Sequence, residues 1–405
     1  MNDILENSIN NSQTKIKFSS FVLLFILTLL PFDSYLGEVI PVPIVPGLLV
    51  FFIISKFFEF CNSGYRQFEM TPIILFISYG VVLNVMGFLE VGVTYNFLLF
   101  FFNIVFYAAA IFGFYNKKEI NGFIKTAPFS FLIFIIICIK NMKFYGNEIY
   151  MSIRDITDPN YLVTGLVLVV AMQMFLIFKE NKKLKKFLLI SELCVAFGFM
   201  ILIGSRGGLF ACLFTVFLSI LFGVKHPFKL LICFGSIFIV FALLVFSRLP
   251  ADLLARFDIK EILHGTGSGR TIIWSNYMNL YMNADLFTNI FGFGRDYIPS
   301  IYFELFGHTG YYPHNLYIKT LAEGGLFGFT IFIIMVAWSI KRLKELNNGL
   351  VLSAFLGLLV GSIFLDMDNM RIFWVLLFFI TISKSNDSNL MWRGNCEVFN
   401  NSSDL

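Results

Sequence analysis

Apolar residues along this chain come in long continuous runs, not in alternation, and that pattern predicts helices that are apolar all round. Runs of about 20 residues, enough for a helix to cross roughly 30 Å of hydrocarbon, recur along almost the whole length. They predict twelve spans, at 18–32, 39–56, 71–89, 96–115, 123–140, 161–178, 187–204, 208–224, 228–247, 317–340, 350–365 and 371–384. A closed β-barrel would need alternating polarity and is disfavoured. One polar interruption is long, from about Arg248 to Asn315. Unstructured loops of more than about 15 residues are uncommon, and this one carries helical spacing. Leu249, Leu253, Leu254, Phe257 and Ile262 predict an interfacial helix lying on the membrane. A second helix is expected after the Gly265-Thr266-Gly267-Ser268-Gly269 turn, with Ser268 as N-cap and Ile273, Trp274, Tyr277 and Tyr281 buried. Gly292 and Gly294 break the chain before Arg295. The stretch 311–328 then closes the polar segment and leads into the tenth span. Pro313 disfavours helix at Tyr312, so His314 is expected to open that span at a water–membrane boundary.

Composition agrees with this pattern. Of 405 residues 58% are hydrophobic and 14% charged, against about 25% charged in soluble domains. The expected fold class is all-α: a single transmembrane domain over 1–405, a long outward loop at 248–316 containing short helices, and a polar tail at 385–405. The first 17 residues are mostly polar and no small-residue cleavage site follows the first apolar run, which reads as an uncleaved first helix. The six cysteines show no paired short spacing, so neither a disulfide framework nor a zinc site is indicated. The partner implied by composition is the lipid bilayer, not nucleic acid.

Charge sets the expected orientation. With both termini cytoplasmic, 19 of the 30 Lys and Arg lie on the cytoplasmic side, most densely at Lys179 to Lys186, as the positive-inside rule requires. The other eleven, Lys140, Lys143, Arg154, Arg206, Arg248, Arg256, Lys260, Arg270, Arg295, Lys319 and Arg371, fall on the outward side. A long outward segment escapes the rule, which accounts for those between Arg248 and Arg295 but not for Arg206 or Arg371. A polyanionic ligand on the outward face is the simplest common reason.

Arg206 sits in Gly204-Ser205-Arg206-Gly207-Gly208, between two apolar runs with almost no loop. Its guanidinium is a planar fork suited to phosphate oxygens, and the glycines let a ligand approach the backbone. The bland reading is an interfacial arginine at a tight turn. Arg270 opens a helix after a glycine-rich turn, where backbone N–H groups and the helix dipole favour an anion. Its bland reading is a solvated first-turn residue, and the turn lacks the Gly-Lys-Ser/Thr ending of a nucleotide P-loop. His314 is the candidate proton acceptor, although a lone boundary histidine is more often only polar decoration. Asn315 and Lys319 follow it at the same boundary. Asp366, Asp368 and Arg371 form an acidic and basic cluster between the last two spans, where the alternative is a structural ion pair. Glu304, His308 and Glu323 are weaker candidates.

At these residues the chain resembles the O-antigen polymerase and ligase superfamily. The resemblance rests on His314-Asn315, nine residues, then Gly325-Leu326-Phe327-Gly328, joined by the Ser-Arg-Gly turn at Arg206, the Gly-Arg-x-x-x-Trp at Gly269 to Trp274 and the Gly-x-Gly before Arg295. It covers roughly residues 190–380; the first half matches only in hydropathy. It implies a membrane glycosyltransferase fold of the C type, an undecaprenyl-pyrophosphate-linked glycan as donor, and no nucleotide sugar, metal or other cofactor. Arg206 and Arg270 would hold the pyrophosphate and His314 would activate or orient the acceptor hydroxyl, giving the catalytic set. Arg295, Asn315, Lys319, Asp366 and Arg371 would bind substrate. A chain-length regulator and a flippase are the protein partners it implies, and a bacterial inner membrane the location.

The expected function is therefore polymerisation of O-antigen or a similar repeat-unit polysaccharide. The near alternative is the ligase, which transfers glycan to lipid A-core. A lipid-linked oligosaccharide transporter is the alternative of another class; it would place charges along several helices on both sides, whereas here they gather on one face.

Overall fold

The computed structural model describes residues 17–40, 44–63, 70–111, 117–145, 148–224, 227–251, 254, 270–307 and 312–382. Among these, eight helices are long and apolar enough to cross a membrane and four more are shorter but apolar. The chain is an all-α polytopic membrane protein. In order the helices are α1 (Phe18–Val39), α2 (Ile44–Phe58), α3 (Thr71–Val91), α4 (Tyr95–Ile111), α5 (Lys118–Lys140), α6 (Pro159–Lys179), α7 (Lys183–Ile203), α8 (Arg206–Gly223) and α9 (Pro227–Phe246). Three shorter ones follow, α10 (Arg270–Met282), α11 (Leu286–Phe291) and α12 (Tyr297–Phe306). The last are α13 (Leu316–Glu345), α14 (Gly349–Gly361) and α15 (Arg371–Ile382). The α1–α9 and α13–α15 set falls on the twelve predicted spans.

Local chemistry sets the ends of these helices. Asp158 caps α6 by accepting from the Asn160 N–H, Asn315 caps α13 by accepting from Tyr317 and Ile318, and Asn348 caps α14 through Val351. Gly204, at φ 73°, turns α7 into α8 with no loop to spare. Such connections reverse the spans up to α9, and beyond the long polar segment the Leu316 N–H bonded to Ser362 O at 2.9 Å and Gly207 packed on Phe364 bring the starts of α13 and α8 to one end. The ends of α1, α3, α5, α7, α9 and α14 and the starts of α2, α4, α6, α8, α13 and α15 therefore share one end of the bundle.

Close helix approach builds the interior. A Cβ at Gly208 would meet the Val163 side chain of α6, and one at Gly357 of α14 would collide with the Thr215 hydroxyl of α8. Small residues at such crossings let helices pack in lipid, where water exclusion supplies no driving force. Across the same crossing the Ser219 and Ser353 hydroxyls lie 2.9 Å apart. All twelve residues of α15 are buried, so this helix is central. On α9, by contrast, Ile232, Val240, Leu243 and Leu244 are exposed, which is the lipid face of a spanning helix.

The long polar segment carries short helices, as its spacing predicts. The helix opening at Arg270 is present and buries Tyr277 and Tyr281, with Ile273 and Trp274 half-buried. Tyr277, Ile298 and Tyr302 pack with Ala322 into a small separate core, which docks α10 and α12 on α13. The patterns around Leu253, Phe257 and Ile262, the Gly265–Gly269 turn with its Ser268 cap, Arg256, Lys260 and the tail at 385–405 lie outside the described residues. The sequence reading contained no strands. The structure has a two-stranded antiparallel hairpin, β1 (Met142–Tyr145) and β2 (Glu148–Met151), pairing Met142 with Met151.

Candidate active site

The organising feature is a broken helix. α13 begins at Leu316, but Gly325 has φ 61° and ψ −170°, which interrupts the helical ladder one-third of the way along. The carbonyls released by the break are used at once. Phe293 and Gly294 donate their N–H groups to Ala322 O and Glu323 O, each at 3.0 Å, and Arg295 N–H reaches Leu83 O on α3 at 3.1 Å. Tyr79 of α3 places its hydroxyl 2.8 Å from Phe291 O and 2.9 Å from Gly324 O. No side chain fits at this crossing: a Cβ on Gly325 would run into the backbone of Ile290 and Gly292, and one on Gly87 into the Arg295 carbonyl. The irregular backbone persists because protein groups satisfy its polar atoms.

The crossing delivers Arg295 to a buried ionic cluster. Asp368 accepts from Arg295 at 2.7 Å and from Lys319 Nζ at 3.1 and 3.3 Å. Arg295 also contacts Asn369 and lies over the Phe100 ring at 4.8 Å. Asn369 donates to Asn96, and Asn96 donates to Asp296 and to the Tyr312 hydroxyl. Burial alone would raise the Asp368 carboxyl, but the Lys319 and Arg295 cations outweigh it and hold it below the usual range. Burial alone would likewise depress Arg295, yet Asp368, Glu323 and Asp296 hold it above its ordinary value. Removing one member of such a buried pair typically costs about 3–5 kcal/mol, because the other charge is left uncompensated.

His314 lies at the edge of this cluster, at φ 46° in a bend just before the Asn315 cap. Its backbone is held from two sides. Trp274 of α10 donates to Pro313 O at 2.6 Å, and Asn315 N–H donates to Asp366 Oδ1 at 3.0 Å. Asp366 is buried, which pushes its carboxyl above the usual range against the pull of Lys319 and His314. The His314 Nδ1 is enclosed and has no hydrogen-bond partner among the described residues. A non-glycine residue in the left-handed region is a local strain that the surrounding bonds must maintain.

The two arginines of the glycine-rich turns come together at the same end. Arg270 is half-buried; burial lowers its proton affinity, and Asp158, Tyr161 and Asp366 oppose that while the Arg206 charge adds to it. Arg206 and Arg270 therefore stand within electrostatic reach of one another although 64 residues separate them in the chain. The Arg206 turn is tied to the start of α6: Ser205 Oγ donates to Asn160 Oδ1 at 3.0 Å, and Gly207 packs on Phe364, two residues before Asp366. Arg206, Arg270, His314 and Asp366 thus form one group, drawn from α8, α10, the bend before α13 and the link between α14 and α15.

Residues 191–333 match the family model for O-antigen ligase. The matched stretch is of the O-antigen polymerase and ligase superfamily, whose members are glycosyltransferase-like enzymes. It spans roughly a third of the chain and holds Arg206, Arg270, Arg295, His314, Asn315, Lys319 and the Gly325 break. No curated protein gives a significant match to the chain. The residues outside the O-antigen ligase stretch that complete the group, Asp158, Asn160, Asp366 and Asp368, come from both flanks.

The remaining expected site residues have protein partners. Asn315 uses its side chain as the α13 cap. Lys319 and Arg295 share Asp368. Arg371 does not join Asp366 and Asp368 in one cluster: the 3₁₀ turn at Met367–Asn369 carries Asp368 inward, whereas Arg371 starts α15 and pairs with Asp33 of α1, with the Phe102 ring beneath it. Sequence reading missed Asp158, Asn160, Asn96, Tyr312 and Asp296. Of these only Asp158, ahead of Pro159, carried a local signal, that of a helix start.

Proposed function

We propose that this membrane protein is an O-antigen or related repeat-unit polymerase, and that Arg206, Arg270 and His314 are its catalytic groups. The observation that supports this reading is that Arg270 lies within electrostatic reach of both Arg206 and Asp366, while Asp366 holds the Asn315 N–H next to His314. The donor is an undecaprenyl-pyrophosphate-linked glycan, and the acceptor hydroxyl belongs to a lipid-linked repeat unit. In the transfer, the bond from the anomeric carbon to the phosphate oxygen breaks and the lipid pyrophosphate leaves with its electron pair. The acceptor oxygen bonds to that carbon, and its proton passes to His314. Pyrophosphate is already a good leaving group, so stabilising its developing charge, orienting two glycans and removing one proton are sufficient. Arg295, Lys319 and Asp368 serve as the ionic support beneath the site, Asn315 fixes the backbone beside His314, and Arg371 braces the outer ends of α1 and α15.

In this reading the site end of the bundle faces the periplasm and both termini the cytoplasm. The basic stretch Lys179 to Lys186 lies at the opposite end, as the charge rule asks. In a cysteine-free background, Ser275→Cys at an exposed position of α10 is expected to react with an impermeant thiol reagent from outside, and Lys183→Cys is not. The reverse labelling contradicts the orientation.

The family description favours a second reading, the ligase, and a deletion in the native host separates the two. Loss of a polymerase leaves lipopolysaccharide carrying one repeat unit, since the ligase still caps the core. Loss of the ligase leaves bare core and long polymer on the undecaprenyl carrier. The first outcome is expected here.

A further inference from the structure

Two arginines explain how a pyrophosphate is held; they do not explain how it leaves. A glycosyl lipid pyrophosphate is a diester with one charge on each phosphate. After transfer the same group ends in a free phosphate, which adds a further ionisable oxygen with a pKa of about 6. The product is therefore more anionic than the donor, and a site built of cations alone would bind it more tightly. Turnover needs an opposing charge.

Asp158 stands where such a charge would act. It is half-buried, at the start of α6, and accepts from Asn160 N–H at 2.8 Å and from Asn160 Nδ2 at 3.0 Å. Asn160 in turn accepts from Ser205, the residue before Arg206. Asp158 is also the carboxylate with the largest effect on Arg270. One aspartate is thus tied to the Arg206 turn by a hydrogen-bond chain and acts on Arg270 by its charge. Asp366, the other carboxylate near Arg270, is buried and takes the Asn315 N–H. That leaves Asp158 as the more open of the two.

We infer that Asp158 is the built-in counter-anion of the arginine pair: it occupies their charge when no donor is bound and opposes the extra charge of the lipid pyrophosphate product, promoting its release. Asp158 is a positioning and specificity-determining residue in this scheme, and the scheme rests on the donor site proposed above. Asp158→Asn removes the charge while keeping the cap, since Asn caps a helix as well as Asp does. Asp158→Ser does the same with a different side chain.

Undecaprenyl pyrophosphate is titrated into full-length protein in nanodiscs, with wild-type and both variants matched for thermal unfolding midpoint. Both variants are expected to bind it roughly three- to tenfold more tightly, the size of one screened unit-charge interaction. In steady-state transfer, donor KM and kcat are expected to fall together, as they do when release becomes limiting. Unchanged or weaker binding by both variants overturns the inference and leaves Asp158 as a cap alone. Arg206→Ala and Arg270→Ala in the same titration separate the two failures. If they weaken binding while the Asp158 variants do not strengthen it, only Asp158 loses its role. If none of the four changes binding, the donor site itself is refuted, and the inference with it.

Discussion

Arg206→Lys and Arg270→Lys are each expected to lower glycan transfer by roughly a hundredfold or more, the scale seen when one donor to a developing negative charge is lost, while the protein level in the membrane stays normal. Lysine keeps the positive charge. What it loses is the planar pair of N–H donors that can engage two phosphate oxygens at once. The two residues reach the site by different routes, Arg206 from the tight α7–α8 turn and Arg270 from the first turn of a helix in the long polar segment. Equal sensitivity of both would mark them as one functional unit, and transfer is read from product length on a gel. Wild-type product from both variants would reduce them to an interfacial turn residue and a solvated first-turn residue.

The second large effect is expected at His314. His314→Ala should lower transfer by roughly 10²- to 10⁴-fold, the usual range for a lost general base. Arg or Lys at 314 should do no better, since neither accepts a proton near neutral pH. Stability is not expected to follow activity. The backbone around His314 is held by the bonds of Asn315, Trp274 and Asp366, and among the described residues the His314 Nδ1 has no partner. A variant at 314 that folds and labels normally yet fails in transfer places the residue in the chemistry. One that loses membrane insertion would instead make the bend itself the important feature.

How far the sequence discloses this molecule depends on how local each determinant is. The spans are legible because a lipid-crossing helix must be apolar along its own length, and the Arg270 helix because its turn residues precede it. Gly292 and Gly294 were legible as breaks before Arg295, whereas the break at Gly325 inside the tenth span was not: at φ 61° beside the Ile290 and Gly292 backbone it admits no side chain, and only the fold supplies those neighbours. The hairpin at 142–151 escaped because two strands of four residues between apolar runs leave no distinctive period. The charge pairs escaped for another reason. Asp368 lies 73 residues from Arg295 and 49 from Lys319, and nothing local ties them. The pairing of Arg371 with Asp33 joins the last span to the first. Sequence proximity suggested instead that Asp366, Asp368 and Arg371 belonged together. The cations were visible one by one, whereas their division into a buried set around Asp368 and a more open pair at Arg206 and Arg270 needed the fold.

The central claim is that one end of this bundle transfers a glycan from a lipid pyrophosphate to a hydroxyl, and purified protein tests it most directly. Full-length wild-type, Arg270→Lys and His314→Ala proteins are reconstituted in liposomes with undecaprenyl-pyrophosphate-linked repeat units from the native host as donor and acceptor, and the lipid-linked products are resolved by mass. Wild-type protein is expected to yield glycans of two and more repeat units together with free undecaprenyl pyrophosphate in matching amount, and the two variants almost none. Unextended lipid-linked repeat units with wild-type protein, in a preparation that extends them once lysate from the host is added, would contradict the polymerase assignment. Undiminished elongation by both variants would contradict the site.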